Sequence, residues 1–145
     1  MTTNRSSTRP LPVPDTVNGP YWRAAREHRF VLMRCTDCQK YVHPPRPTCP
    51  RCQSAAIAAT TASGRGTVYS FGVMHRGGNP GFEDDLPYAV LVVELAEEPL
   101  LFAIGNVVDC PLEAIEIGMP VEVVFEDLTD EISLPQWRPS VQVPA

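Results

Sequence analysis

Cys35-Thr36-Asp37-Cys38-Gln39-Lys40-Tyr41-Val42-His43-Pro44-Pro45-Arg46-Pro47-Thr48-Cys49-Pro50-Arg51-Cys52 is the stretch that decides the fold. It holds two Cys-x-x-Cys pairs ten residues apart. Two residues between thiolates let each pair grip one tetrahedral ion from a tight turn. The ten-residue gap brings the second pair round to complete the tetrahedron. Four soft thiolates suit Zn²⁺, or iron in a four-thiolate site. A redox Cys-x-x-Cys needs only one pair and sits beside a βαβ unit, which this sequence lacks. Four cysteines fill the coordination sphere and leave no position for water, so one structural zinc is expected. Arg34, Lys40 and Arg51 flank the pairs and are expected to offset the charge of the tetrathiolate.

Upstream, Asp15 and Thr16 can cap a short helix running to about His28, with Tyr21, Trp22 and Ala25 on one side. Phe30-Val31-Leu32-Met33 reads as a strand leading into Cys35. Downstream from Ala55 the texture turns to β. Strands are expected at Thr67–His75, Tyr88–Leu95, Leu100–Val107 and Val121–Glu126, with a shorter segment near Leu112–Ile117. They are rich in Val, Phe, Tyr and Ile and are bounded by glycine, proline and acidic turns. Glu97-Glu98-Pro99 joins two of them as a hairpin. Five strands in some 70 residues suit a small barrel of the OB type. The expected fold is mainly β: a short N-terminal helix, a zinc ribbon, then a five-stranded barrel. The expected divisions are a flexible tail at 1–14, helix and ribbon at 15–60, barrel at 61–139, and a C-terminal tail at 140–145.

Composition fits this scheme. Sixteen prolines in 145 residues are roughly twice average usage and point to many turns and little long helix. No apolar run approaches the roughly 20 residues of a membrane span. Residues 1–14 have no apolar core and do not read as a secretory signal, so the expected compartment is the reducing cytoplasm, where paired cysteines hold metal. The net charge of −5 conceals an asymmetry. Residues 1–60 carry +6 and residues 61–145 carry −11. The basic half reads either as a solvated face or as a patch for a phosphate-bearing ligand or an acidic partner.

A catalytic constellation is not legible. His28 lies at a helix end, His43 inside the ribbon, and His75 at a strand end beside the long polar loop 76–87. His75 is the best placed of the three for chemistry. Asp84-Asp85 reads as a solvated loop tip, and Cys110 as a small buried apolar residue. Phe82 is the one large apolar residue of the loop. It either folds back on the barrel or contacts a ligand or partner.

The order of helix, ribbon, Ser63-Gly64-Arg65-Gly66-Thr67-Val68-Tyr69-Ser70-Phe71, Pro87-Tyr88, Gly118-Met119-Pro120-Val121 and Leu134-Pro135-Gln136-Trp137-Arg138-Pro139 is distinctive. It resembles the OB-fold proteins with an N-terminal rubredoxin-like zinc ribbon, long filed as a domain of unknown function, over about Asp15 to Pro139. That family often has glycine after the second cysteine of each pair, where the backbone turns left-handed; here Gln39 and Gln53 stand there. The resemblance implies an accessory subunit without catalytic residues, assembled with a thiolase-like aldolase that cleaves a β-hydroxyacyl-CoA by retro-aldol reaction, as in steroid side-chain degradation. A hotdog-fold enoyl-CoA hydratase or an acyltransferase is the alternative partner. CoA thioester is then the ligand of the complex, and Arg46, Arg65 and Arg76 are candidates to contact its phosphates, since guanidinium forks suit phosphate. Arg65 can equally brace ribbon against barrel. Trp137 either anchors a partner or packs on its own barrel. A single-stranded nucleic-acid module is the competing class, disfavoured by the acidic barrel half. Electron transfer at an iron centre is a third.

Overall fold

The computed structural model describes residues 9–77 and 79–141. Most of the expected N-terminal tail and the last four residues lie outside them. Helix α1 spans Gly19–Arg26. Asp15 Oδ1 accepts hydrogen bonds from the N–H groups of Val17 and Asn18 at 2.7 and 2.8 Å, and Pro20 stands in the first turn. Aspartate thus shapes the entry as expected, but the helix proper starts four residues later and stops at Arg26.

Eight strands follow: β1 Val31–Cys35, β2 Tyr41–Val42, β3 Ile57–Thr61, β4 Arg65–Met74, β5 Tyr88–Leu95, β6 Phe102–Asn106, β7 Pro120–Asp127 and β8 Ser133–Pro139. The first three form an antiparallel sheet in the order β2-β1-β3. The other five form a second sheet in the order β6-β5-β4-β7-β8. Its two edges meet through a parallel bridge between Val107 and Trp137, with the Val108 N–H donating to Trp137 O at 2.8 Å. That contact curls the sheet into the expected barrel.

Two expectations need correction. Leu112–Ala114 is a 3₁₀ turn, not a strand. The fifth barrel strand is instead β8, pairing along its length with β7 from Val121↔Pro139 to Asp127↔Ser133. Pro135 and Pro139 hide it in the sequence. A proline cannot donate to a ladder, and β8 tolerates two because it is a terminal strand of the sheet order. The burial of Trp137 follows: it is 1% exposed and packs edge-on against Phe30, ring centroids 5.8 Å apart.

Strand β5 alternates strictly, with Ala89, Leu91, Val93 and Leu95 buried in the barrel. Strand β1 alternates too, but both of its faces are buried. Phe30 and Leu32 enter the barrel core, while Val31 and Met33 pack with Ala24 and Val42 beneath the helix. One five-residue strand therefore serves two cores and welds the ribbon to the barrel. A register shift between Val68 and Ser70 turns Tyr69 outward, where it is 51% exposed. No helix among the described residues is long and apolar enough to cross a membrane.

Candidate metal centre and adjoining groove

The two cysteine turns are built alike. In the first, the Cys35 N–H donates to Lys40 O and the Gln39 N–H to Cys35 O, at 2.8 and 2.9 Å. In the second, the Cys49 N–H donates to Ser54 O and the Gln53 N–H to Cys49 O, at the same two distances. Both glutamines take the left-handed conformation, with φ of 67° and 63°. A turn that suits glycine is thus kept here with a side chain, at a backbone cost of about 1 kcal/mol per residue.

The four sulfur atoms lie within 4.8 Å of one another. Cys35 and Cys52 Sγ are 3.6 Å apart, as are Cys38 and Cys49 Sγ. A tetrahedron with Zn–S bonds of about 2.3 Å has edges of roughly 3.8 Å, whereas a disulfide would need about 2.05 Å. The donor set and spacing therefore fit a four-thiolate zinc site. Backbone N–H groups support the thiolate form at two of the four cysteines, while at Cys52, despite the Ser54 N–H, burial and the neighbouring thiols push the thiol up to about 12. Cys35 is held below the ordinary thiol range, chiefly by the Cys38 N–H. Cys49 falls to about 7, although burial pushes it the other way, because the N–H groups of Cys52 and Arg51 point at it. Two of the flanking cations also make contacts away from the sulfur atoms. Arg34 donates from Nε to Gln39 O at 2.9 Å and lies 4.6 Å over the Tyr41 ring, and Lys40 pairs with Glu98 across to the barrel.

Beside this centre lies a groove of about 710 Å³ between ribbon and barrel. Tyr21 and Trp22 supply one wall, His43 to Arg46 another, and Leu100 to Ile104 the third. Its size and its mix of apolar wall with a few cationic groups are those of a small-molecule site. Burial drives His43 down to about 4, so its imidazole is neutral at pH 7, and its buried Nδ1 has no hydrogen-bond partner. Burial also raises the Tyr21 hydroxyl well above its ordinary value, so Tyr21 stays a neutral phenol.

The three candidate arginines are not brought together. Arg46 lines the groove and is exposed. Arg65 is exposed in a separate depression that it shares with Glu94, Glu97 and Glu98, an acidic setting poorly suited to phosphate. Arg76 is exposed just beyond β4. Phe82 folds back against Tyr88, with ring centroids 6.2 Å apart, and is capped by the Arg9 guanidinium at 4.8 Å. Asp85 pairs with that same Arg9, so only Asp84 of the acidic pair is fully exposed. Trp137 is a core residue with no surface to offer a partner. His75 is exposed, and His28 Nε2 lies 2.7 Å from Asp127 Oδ1. Cys110 is half-buried, and its thiol is pushed up by burial and by Glu113. Leu100 escaped the sequence reading. It stands 69% exposed at the β5–β6 turn with φ 60°, and only its place after Pro99 in a tight hairpin hinted at it.

Comparison with known proteins agrees with this geometry. Residues 22–58 match the ChsH2 rubredoxin-like zinc ribbon domain, and residues 59–126 match the ChsH2 C-terminal OB-fold domain. A "probable enoyl-CoA hydratase alpha subunit" of Thermomonospora curvata is 40% identical over 133 residues, 92% of this chain. The chain spans only 40% of that relative's length. A "DUF35 domain-containing scaffold protein" of Methanocaldococcus jannaschii is 33% identical over 112 residues, covering 76% of this chain and 77% of the relative. Among solved structures, a chain of the "Ltp2-ChsH2(DUF35) aldolase" superposes with a TM-score of 0.79 at 38% identity, over 90% of this chain and 99% of that one. With its cysteine tetrad, its barrel and these matches in register, the chain belongs to the ChsH2-type DUF35 family of zinc-ribbon OB-fold proteins.

Proposed function

We propose that this chain is a zinc-binding, non-catalytic subunit of a thiolase-type acyl-CoA aldolase. The observation that carries the reading is the match over 99% of the DUF35 chain of an aldolase assembly, at 38% identity. In the retro-aldol reaction a base takes the proton of the β-hydroxyl and the Cα–Cβ bond breaks. Its electron pair enters the thioester enolate, which is then protonated at Cα. The thiolase-like partner supplies the acid and base. His28 is engaged with Asp127, and burial that lowers His43 to about 4 makes its imidazole a weak proton acceptor. This chain supplies a wall. Zinc pins the cysteine turns, and those turns hold the segment from Tyr41 to Arg46 against the groove. Arg46 at the groove suits the phosphates of CoA, and the aromatic and aliphatic walls suit its pantetheine arm. Arg65 and Arg76 do not line this groove. A steroid side-chain thioester is the first substrate class to assay, on the resemblance noted above.

Co-expression with thiolase-like proteins of the same genome, size-exclusion chromatography and metal analysis test the reading. Co-elution with one zinc per chain and release of acyl-CoA plus a carbonyl product from a β-hydroxyacyl-CoA are the expected results. A second reading, a subunit of an enoyl-CoA hydratase, is favoured by the Thermomonospora relative. Co-elution with a hotdog-fold candidate and hydration of an enoyl-CoA would replace the first reading.

A further inference from the structure

The outer face of the barrel over β4, β5 and β6 is unusual in what it leaves in water. In β5 the inward residues are Ala89, Leu91, Val93 and Leu95, so Tyr88, Val90, Val92 and Glu94 point out. Register places Ser70, Val92 and Ile104 in one row across the three strands, and Gly72, Val90 and Asn106 in the next. Ile104 is 71% exposed. The Phe102 ring lies 4.7 Å from the outward-turned Tyr69. A Cβ built on Gly72 meets nothing within 4 Å, so small residues leave a shallow depression beside these side chains. The two rows carry no charge, in a barrel half with fourteen acidic residues.

Leu100 extends this face to the mouth of the groove. It is 69% exposed and holds a left-handed backbone, φ 60°, in which glycine would sit without strain. Its N–H is held by Glu94 Oε2 at 3.0 Å, but its apolar side chain stands in water at a backbone cost, which points to a contact outside the chain.

We infer that this largely apolar β4–β5–β6 face, with Leu100 at its tip and Glu94 as its one charge between them, is the surface on which the enzyme subunit docks, through an apolar patch of that partner. This inference rests on the aldolase-subunit reading above and adds to it the place of contact. Its occupant is taken to be an enzyme subunit because the near-full-length match belongs to a two-component aldolase. The face is also continuous with the groove, which Leu100, Phe102 and Ile104 also line. Docking there would close the groove's open side with partner surface.

Three variants of the full chain test this against a thiolase-like subunit that binds the wild type. Ile104→Glu sets a charge in the middle of the face and should weaken the dissociation constant at least a hundredfold, with thermal midpoint and zinc content unchanged. Leu100→Gly removes the side chain and relieves the backbone, so the midpoint should hold or rise while affinity falls about tenfold. Ile117→Glu, 71% exposed but outside the face, should bind as the wild type. Wild-type affinity in both Ile104→Glu and Leu100→Gly would overturn the docking face and leave the aldolase reading standing. Failure of the wild type to bind any thiolase-like candidate would remove both. If the isolated wild type is a dimer that Ile104→Glu splits, the face joins two copies of this chain and the inference is wrong.

Discussion

Gln39 and Gln53 occupy equivalent places in the two cysteine turns, yet they are not equally supported. Gln39 donates from its side-chain amide to Thr36 O at 2.9 Å, and Gln53 makes no such bond among the described residues. Both pay the left-handed cost of a side chain. Gln53→Gly should therefore stabilise the zinc-loaded protein by about 0.5–1 kcal/mol, and Gln39→Gly by less, since it gives up a hydrogen bond. Denaturant unfolding of the two variants checks the order. Asp127 is a second site where single residues decide. Its carboxyl is held below the usual range, first by the Ser133 hydroxyl, which donates at 2.5 Å, and then by His28. A depressed carboxylate contributes stability above its unfolded pKa of about 3.9, and that contribution is lost as pH falls through the lower folded value. Ser133→Ala should bring Asp127 back toward the ordinary value and make acid unfolding begin at higher pH. Carbon-detected titration of Asp127 in both proteins measures it.

The turn into β4 shows how an element is fixed by what it cannot contain. A Cβ on Gly66 would lie 2.5 Å from Glu94 O and 2.6 Å from Val93 Cγ1, so β4 and β5 meet there only because the side chain is absent. Gly66→Ala should cost about 1–3 kcal/mol, the range of overpacked cores. Gly72→Ala, in open space six residues along the same strand, should be neutral or gain a few tenths of a kcal/mol. Paired thermal melts decide between them. The sequence already marked Gly64 and Gly66 as a break before a strand, and β4, β5, β6 and β7 lie where their alternation and turns put them, to within a few residues. It failed at β8, where two prolines outweighed local propensity, and at β3, whose Ile-Ala-Ala-Thr-Thr is too short and plain to declare itself. Strand β3 exists because it pairs with β1 from Val31↔Thr61 to Cys35↔Ile57.

For the whole molecule, the double use of β1 ties metal to barrel. Chelation of zinc releases four thiolates that hold the ribbon, and β1 runs directly from Cys35 back to the barrel residues Leu32 and Phe30. Zinc removal should thus do more than loosen the ribbon. Amide exchange should speed up first in β1, β2 and β3, and the melting transition of β4 to β8 should fall as well. Exchange confined to residues 35–52 with an unmoved barrel transition would contradict the weld.

The sequence by itself determined the four cysteines placed to bind a metal, the β character of the second half and the family. These rest on spacings of a few residues, where covalent geometry leaves little choice. Only the tertiary structure decided that Trp137 belongs to the core, and that Arg46 alone of the three arginines lines the groove. It alone left one barrel face apolar and open beside a groove. Those outcomes depend on pairings between residues well separated in the chain, such as Val92 with Ile104 and Val107 with Trp137, and local pattern cannot carry that information.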